Sequence, residues 1–348
     1  MRVAFLTSTP QNIGGGSGTY VGINTLAAAV RGRGIEVDLI APAGQWPAFT
    51  FQRRWFNEIV RFRDWERYDA VVGFDLDGFR LGVPHIASIK GVIADEARHE
   101  RGLTRRLLEL QAAWECENVH RAERVITTSL YAARRIEQLY GLPETPRVVP
   151  EPIDLGAWHA VFDSIAAEPD PARFVVLTVA RFYPRKRIDV LLEAARELED
   201  RVRGFELRIV GDGPENQRLR ALAPRSARFL GTIPRRALAT EYKRCDAFCL
   251  PSVQEGFGIV FLEAMAAGRA IVAVSSSAVP EVVPHAVLVT PASPEGLAEA
   301  LFAVWRDPAL RETIARAGAE CVRTYDAPRV AEQFLEALAL ARGCHAGG

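Results

Sequence analysis

Short apolar runs separated by polar, glycine-bearing turns recur along the chain. The first follows Arg2, where Val3 to Thr7 forms the core of a strand read over 1–9, and others follow at 36–41, 69–74, 84–90, 124–129 and 147–150. After a gap they resume at 174–180, 206–210, 228–230, 247–250, 270–274 and 287–289. Runs this short and this uniformly apolar fit strands covered on both faces, as in a parallel sheet. Helical spacing predicts helices over 19–31, across the charged region 93–123, over 130–140, and over 330–340 behind the start signal Asp326-Ala327-Pro328. Strand and helix alternate in both halves, which predicts an α/β chain built of two doubly wound domains. Pro150-Glu151-Pro152-Ile153-Asp154 is stiffened by its prolines into an extended crossing, and Phe162 to Pro171 reads as a linker or exposed loop. The expected division is 1–165, 166–326 and a last helix within 327–348.

Composition narrows the class. The chain has 348 residues, 49% of them hydrophobic and 25% charged, which suits a globular enzyme of two domains. No apolar run approaches bilayer-spanning length, and no signal-peptide core follows Met1, so the fold is expected to start there and the protein to be cytoplasmic. Formal net charge is zero with no long run of one sign, which argues against nucleic acid as a partner. The five cysteines form no C-x-x-C pair and read as reduced, mostly buried thiols. Of 43 basic residues only Lys90, Lys186 and Lys243 are lysine. A chain so biased toward arginine that keeps a lysine suggests a need there for a compact, flexible ammonium.

Candidate chemistry gathers after the strands. In Glu255 to Glu263, EGFGIVFLE, two carboxylates eight positions apart bracket a Gly-Phe-Gly turn that leads from a strand into a helix. The carboxylates suit sugar hydroxyls, and the helix start, with its amides and dipole, suits a diphosphate. Arg181 directly follows a strand and Lys186 begins a helix, so two cations fall where a diphosphate needs them. Gly211-Asp212-Gly213-Pro214 and Pro280-Glu281 are further loops at strand ends. In the first half, Gly14 to Gly18 reads as a loop before a helix, with Gly15 and Gly16 open to close ligand approach, although the pattern is neither G-x-G-x-x-G nor a Walker A motif. Asp75-Leu76-Asp77 invites a divalent metal, yet two carboxylates without further ligands read better as a polar strand end. The stretch 45–68 mixes Trp46, Phe49, Phe51, Trp55, Phe56, Phe62, Trp65 and Tyr68 with Arg53, Arg54, Arg61, Arg63 and Arg67. It reads as a helix with its aromatics packed inward and its arginines solvated, or else as a peripheral membrane or acceptor contact at the inner membrane face.

TVARFYPRKRIDVLLEAA, LRIVGDGPE, RFLGTIP, CLPSVQEGFGIVFLEAMAAGRAIVA and VPEVV, in that order, resemble the motifs of the retaining glycosyltransferases of family 4. The resemblance covers nearly all of the second half and is looser in the first, through the glycine loop, 124–129 and 150–154. It implies the GT-B fold, two Rossmann-like domains facing a cleft, with the last helix crossing back to the first domain. It implies that Arg181 and Lys186 bind the nucleotide diphosphate, Glu263 the ribose and Glu255 the transferred sugar. By the same resemblance the amides of Gly256, Phe257, Gly258 and Ile259 meet the distal phosphate and sugar, and the glycine loop closes on the phosphates. No cofactor and no metal are implied, since a nucleotide sugar is the donor substrate and a saccharide, lipid-linked or small-molecule hydroxyl the acceptor. Two positions depart from the pattern. Lys90-Gly91 stands where many relatives carry a histidine, and this lysine could hold the leaving phosphate or donor sugar, or lie on the cleft rim. Glu151-Pro152 stands for the usual Asn-Gly. Retaining transfer is the function implied; a nucleotide-sugar epimerase or hydrolase, and a non-catalytic nucleotide-binding scaffold, are the alternatives.

Overall fold

The twelve apolar runs all form strands, and they gather into two six-stranded sheets whose described pairings are all parallel. The computed structural model describes residues 1–9, 13–44 and 46–343, apart from the side chains of 13–17 and 340–343. The chain divides into one unit of Met1–Pro152 with Asp326–Gly348 and a second of Ile153–Tyr325.

The first unit runs β1 (Arg2–Leu6), α1 (Ile13–Arg31), β2 (Glu36–Ile40), α2 (Phe49–Val60), β3 (Ala70–Phe74), β4 (Ile86–Ile89), α3 (Ile93–Ala97), α4 (Gly102–Arg121), β5 (Arg124–Thr127), α5 (Leu130–Tyr140) and β6 (Arg147–Val148). Its strand order is β2-β1-β3-β4-β5-β6. β1 shows why its run is apolar throughout. Val3 and Phe5 pack with Ile23, Leu26 and Val30 of α1 on one face, while Ala4 and Leu6 pack with Phe56 and Val60 of α2 on the other. Phe5 meets Phe74 and Phe334 edge-on, with ring centroids 5.1 and 5.6 Å apart. Burying one such ring stabilises by about 2 kcal/mol.

In the second unit come α6 (Leu155–Asp163), β7 (Phe174–Val179), α7 (Ile188–Arg201), β8 (Phe205–Val210), α8 (Asn216–Ala221), β9 (Ala227–Gly231), α9 (Arg235–Arg244) and β10 (Ala247–Leu250). They are followed by α10 (Ile259–Ala266), β11 (Ala270–Val274), α11 (Val279–Val282), β12 (Val287–Val289), α12 (Pro294–Arg306) and α13 (Pro308–Cys321). The last helix, α14 (Ala327–Gly343), belongs to the first unit, where it packs on α1 and supplies Phe334 to the core. Strand order in the second sheet is β12-β11-β10-β7-β8-β9, so the chain reverses direction across the sheet between β7 and β10. Helix ends follow their local signals: the Ser129 and Ser293 hydroxyls accept from Ala132 and Gly296 amides at 3.0 and 3.1 Å, and Gly141 closes α5 at φ 68°.

Four sequence expectations need correcting. Gly15 and Gly16 are not in a loop, because α1 already begins at Ile13. Glycine costs a helix about 1 kcal/mol each but raises no steric bar, and the buried turns beyond Ile23 anchor the extension. The region 93–123 is two helices, because Arg101 adopts an extended backbone at φ −134° and ψ 165°. The units divide at 152/153 rather than 165, because α6 packs on the second unit, with Trp158 against Tyr242 at 6.1 Å. In 45–68, Phe56, Trp65 and Tyr68 do pack inward, but Trp46, Phe51, Trp55 and Phe62 are exposed and Arg53 is buried.

Candidate functional site

In an open α/β sheet, ligands bind beyond the carboxyl ends of the strands, at the point where strand order reverses. In the second unit that point lies between β7 and β10, and the loops leaving these two strands carry Arg181, Lys186 and Glu255. Lys186 ends a 3-10 turn, Pro184–Lys186, and its ammonium donates to Glu255 Oε1 at 2.6 Å. Both side chains are mostly buried, at 15% and 8% exposure.

The surrounding loops are stitched to one another. Val253 N–H donates to the Arg185 carbonyl at 2.9 Å, joining the β7 and β10 loops. Glu255 N–H donates to Ser277 Oγ at 2.9 Å, and Ser276 Oγ donates to the Val253 carbonyl at 2.7 Å, which adds the loop after β11. Phe182 N–H donates to the Asp212 carbonyl at 3.0 Å, which adds the loop after β8. Asp212 accepts from Asn216 and the Gly213 amide, and these bonds, with Arg181 nearby, hold its carboxyl below the usual range. Among the described residues, Asp75, Arg187 and Ser277 are the non-glycine residues at positive φ, and each follows a strand's carboxyl end. Left-handed backbone at such residues costs of order 1 kcal/mol and gathers at ligand-binding sites.

The turn into α10 is built for a close backbone. Gly258 precedes the helix at φ 95°, and a Cβ there would stand 2.6 Å from the Phe261 ring. Phe257 directs its ring onto Tyr325, edge-on at 5.4 Å, so any ligand contact of this residue is through its backbone. Glu263, one turn and more into α10, is buried and accepts from the Tyr242 hydroxyl at 2.9 Å. Burial pushes the Glu263 carboxyl up to about 7 and the Tyr242 hydroxyl well above its ordinary value. Ser277 and Tyr242 were not among the residues expected from sequence. A serine run after the apolar strand 270–274 was a usable signal for the first, whereas Tyr242 lies on α9 with nothing in its neighbourhood to mark it.

The first unit brings together the two positions that depart from the family pattern. Lys90, directly after β4, donates to Glu151 Oε2 at 3.1 Å, and both side chains are 4% exposed. Lys90 is therefore not a rim residue. Its ammonium also lies 5.6 Å from the centre of the Phe74 ring, and its backbone N–H donates to Asp75 Oδ1 at 2.8 Å. Glu151 fits because α1 has Gly22 beneath it: a Cβ on Gly22 would stand 2.2 Å from Glu151 Oε2. Burial raises the Glu151 carboxyl against the opposing pull of Lys90. Asp77 accepts from the Ser8 amide at 2.6 Å, the Ser8 hydroxyl at 2.8 Å and Asn57 at 2.7 Å, so its oxygens are engaged within the fold. Burial raises both aspartates, Asp75 to about 6. Among the described residues no cluster of three or more His, Cys, Asp or Glu is placed to hold a metal ion.

Known proteins resemble the chain in both of its halves. Residues 163–320 match the family described as "Glycosyl transferases group 1", and residues 14–157 match "Glycosyltransferase Family 4". Phosphatidyl-myo-inositol mannosyltransferase of Mycobacterium leprae is 38% identical over 188 residues, covering 50% of this chain and 50% of that protein. D-inositol 3-phosphate glycosyltransferase of Segniliparus rotundus is 29% identical over 287 residues, covering 76% and 62%. The chain thus spans about half the length of the curated relatives it matches. Among solved structures, sucrose-phosphate synthase from Thermosynechococcus elongatus superposes with a TM-score of 0.81 at 20% identity over the whole of both chains. Anabaena Alr3699/HepE, in complex with UDP and glucose, superposes with a TM-score of 0.72 at 18% identity, covering 97% and 99%. These likenesses establish a two-domain, Rossmann-like α/β fold of GT-B type.

Two outcomes follow from the buried groups. Glu263 has its carboxyl raised in the folded state, so the stability tied to its proton is full below about 4.5 and is lost as pH rises through about 7. Glu263→Gln should therefore gain on the wild type as pH rises, by about 3 kcal/mol at pH 8, in paired urea titrations at pH 5 and pH 8. A gap that does not widen with pH would contradict the burial argument. Lys90→Met strands a buried carboxylate and should cost about 3 to 5 kcal/mol at neutral pH, less in acid where Glu151 takes a proton, while Lys90→Met with Glu151→Gln recovers most of the loss. Additive losses in the double variant would show that the pair is not a unit.

Proposed function

Since the chain belongs to the family-4 glycosyltransferases of group 1, we propose that it transfers a sugar from a nucleotide-diphosphate sugar to an acceptor hydroxyl with retention of anomeric configuration. The observation that carries this reading is the pairing of Lys186 with Glu255 where the second sheet reverses its order, in a loop set that also holds Arg181. A cation able to meet a diphosphate and a carboxylate able to meet sugar hydroxyls are already within a hydrogen bond of each other.

In the reaction, the bond from the anomeric carbon to the diphosphate oxygen breaks and a bond from that carbon to the acceptor oxygen forms. The acceptor's proton passes to the leaving diphosphate, so no protein nucleophile and no metal are needed. Negative charge grows on the diphosphate in the transition state, and donors already fixed around it stabilise that charge without reorganising. Arg181, Lys186 and the amides of Gly256 to Ile259 take this role, Glu255 orients the transferred sugar, and Glu263 accepts from the ribose hydroxyls. Acceptors in scope are saccharide, lipid-linked and small-molecule hydroxyls, the relatives' names including an inositol phosphate and a phosphatidylinositol.

The test is turnover of a nucleotide sugar with and without acceptor, with the anomeric configuration of the first-formed product read by NMR. Acceptor-dependent release of the nucleoside diphosphate and a retained configuration are expected. Arg181→Ala should lower kcat about a hundredfold or more with an unchanged circular-dichroism spectrum. Release of free sugar at the full rate without acceptor would move the reading to a hydrolase or epimerase.

A further inference from the structure

Helix α2 has two faces of opposite character. Gln52, Phe56, Asn57 and Val60 are buried in the first unit, whereas Phe51, Trp55 and Ile59 are 64, 56 and 52% exposed, and Phe62, in the turn that continues the helix, is 77% exposed. Steps of four, four and three residues put the exposed four on a single stripe. A second row adjoins it. No residue of Gly102 to Leu110, the first half of α4, is buried, and Leu103 and Leu110 are 71 and 43% exposed. Leu103, Leu110 and Trp114 share one face of α4, and the Arg54 guanidinium of α2 lies 5.9 Å from the centre of the Trp114 ring.

The charge around these rows selects the partner. Arg54, Arg61 and Arg63 border the α2 stripe, and Arg101, Arg105 and Arg106 flank the leucines of α4, against Glu58 and Glu109 in the same segments. Asp64 and Glu66 follow beyond Phe62. The chain as a whole is neutral, so this face concentrates positive charge that is balanced elsewhere. The positive charge bordering the rows complements the phosphates of an anionic bilayer, and aromatic rings beside basic side chains suit a surface at the boundary of lipid headgroups and acyl chains.

We propose that the α2 and α4 rows dock the first unit on an anionic bilayer, with Phe51, Trp55 and Phe62 entering the headgroup boundary and the arginines meeting lipid phosphates. Resting on the transferase reading above, the consequence is that the acceptor hydroxyl is carried by a membrane lipid. Among the described residues no helix is long and apolar enough to cross a membrane, so attachment through this face is peripheral.

The experiment is co-sedimentation of the full chain with vesicles of phosphatidylcholine alone and of phosphatidylcholine with phosphatidylglycerol, without donor or acceptor. Binding to the anionic vesicles, weakened by added salt, is expected, together with at least a tenfold loss of partitioning in Trp55→Glu/Phe62→Glu. That variant changes only exposed positions, so its melting curve should match the wild type and its turnover of a water-soluble acceptor should be unchanged. No vesicle binding, or equal binding by the variant, overturns the proposal. So does a dimer on gel filtration that the variant dissolves with no vesicle binding, which gives the face to a second copy of the chain. Because vesicle binding is read apart from turnover, failure of the docking leaves the transfer reading standing, and the reverse.

Discussion

Parallel strands in one sheet deliver all their carboxyl ends to one edge, and that constraint places Lys90, Arg181, Lys186 and Glu255 in this protein. Each strand must return by a helix that covers a face, so the turns leaving the strands gather at the carboxyl edge, where such sheets bind ligands. In the second unit the reversal of order between β7 and β10 parts the helices there, and the loops bearing Lys186 and Glu255 meet across the gap. Bonds from Ser276, Ser277 and Val253 then hold those loops against one another, which is the preorganisation a charged leaving group requires.

The lysines show how sparingly this chain spends a flexible cation. Lys90 and Lys186 each pair with a glutamate, and Lys243 donates to the Phe162 and Ile165 carbonyls at 3.2 and 2.8 Å. None is a freely solvated side chain, and arginine supplies the surface charge. The Lys90–Glu151 pair also explains why two positions depart together from the family pattern: a cation introduced at the buried end of β4 is tolerable only if a carboxylate reaches it, and Gly22 leaves the room for that carboxylate.

What sequence conveys here is local. The central strands were legible because both faces of the sheet are covered there, so runs such as Val3 to Leu6 and Ala70 to Phe74 are apolar without alternation. The second-unit motifs placed Arg181, Lys186 and Glu255 in the segments that follow strands and Glu263 within the helix after them. Pairings were not legible, because Lys90 finds Glu151 and Lys186 finds Glu255 more than sixty residues away. Nor was the α2 surface, since an aromatic stripe has the same spacing whether it faces a core or solvent. The glycines before Thr19 signalled backbone freedom, and freedom permits a helix as well as a loop.

The central claim is that the Lys186–Glu255 loops form a nucleoside-diphosphate site. It is tested most directly by thermal shift of the purified chain with UDP, GDP, ADP, TDP and CMP, each compared with Lys186→Ala on that variant's own baseline. A ligand at a hundred times its Kd adds roughly 2.7 kcal/mol of stability. The account predicts that one diphosphate raises the melting temperature of the wild type and leaves that of the variant unmoved. No shift with any nucleotide, or an equal shift in both proteins, would contradict it.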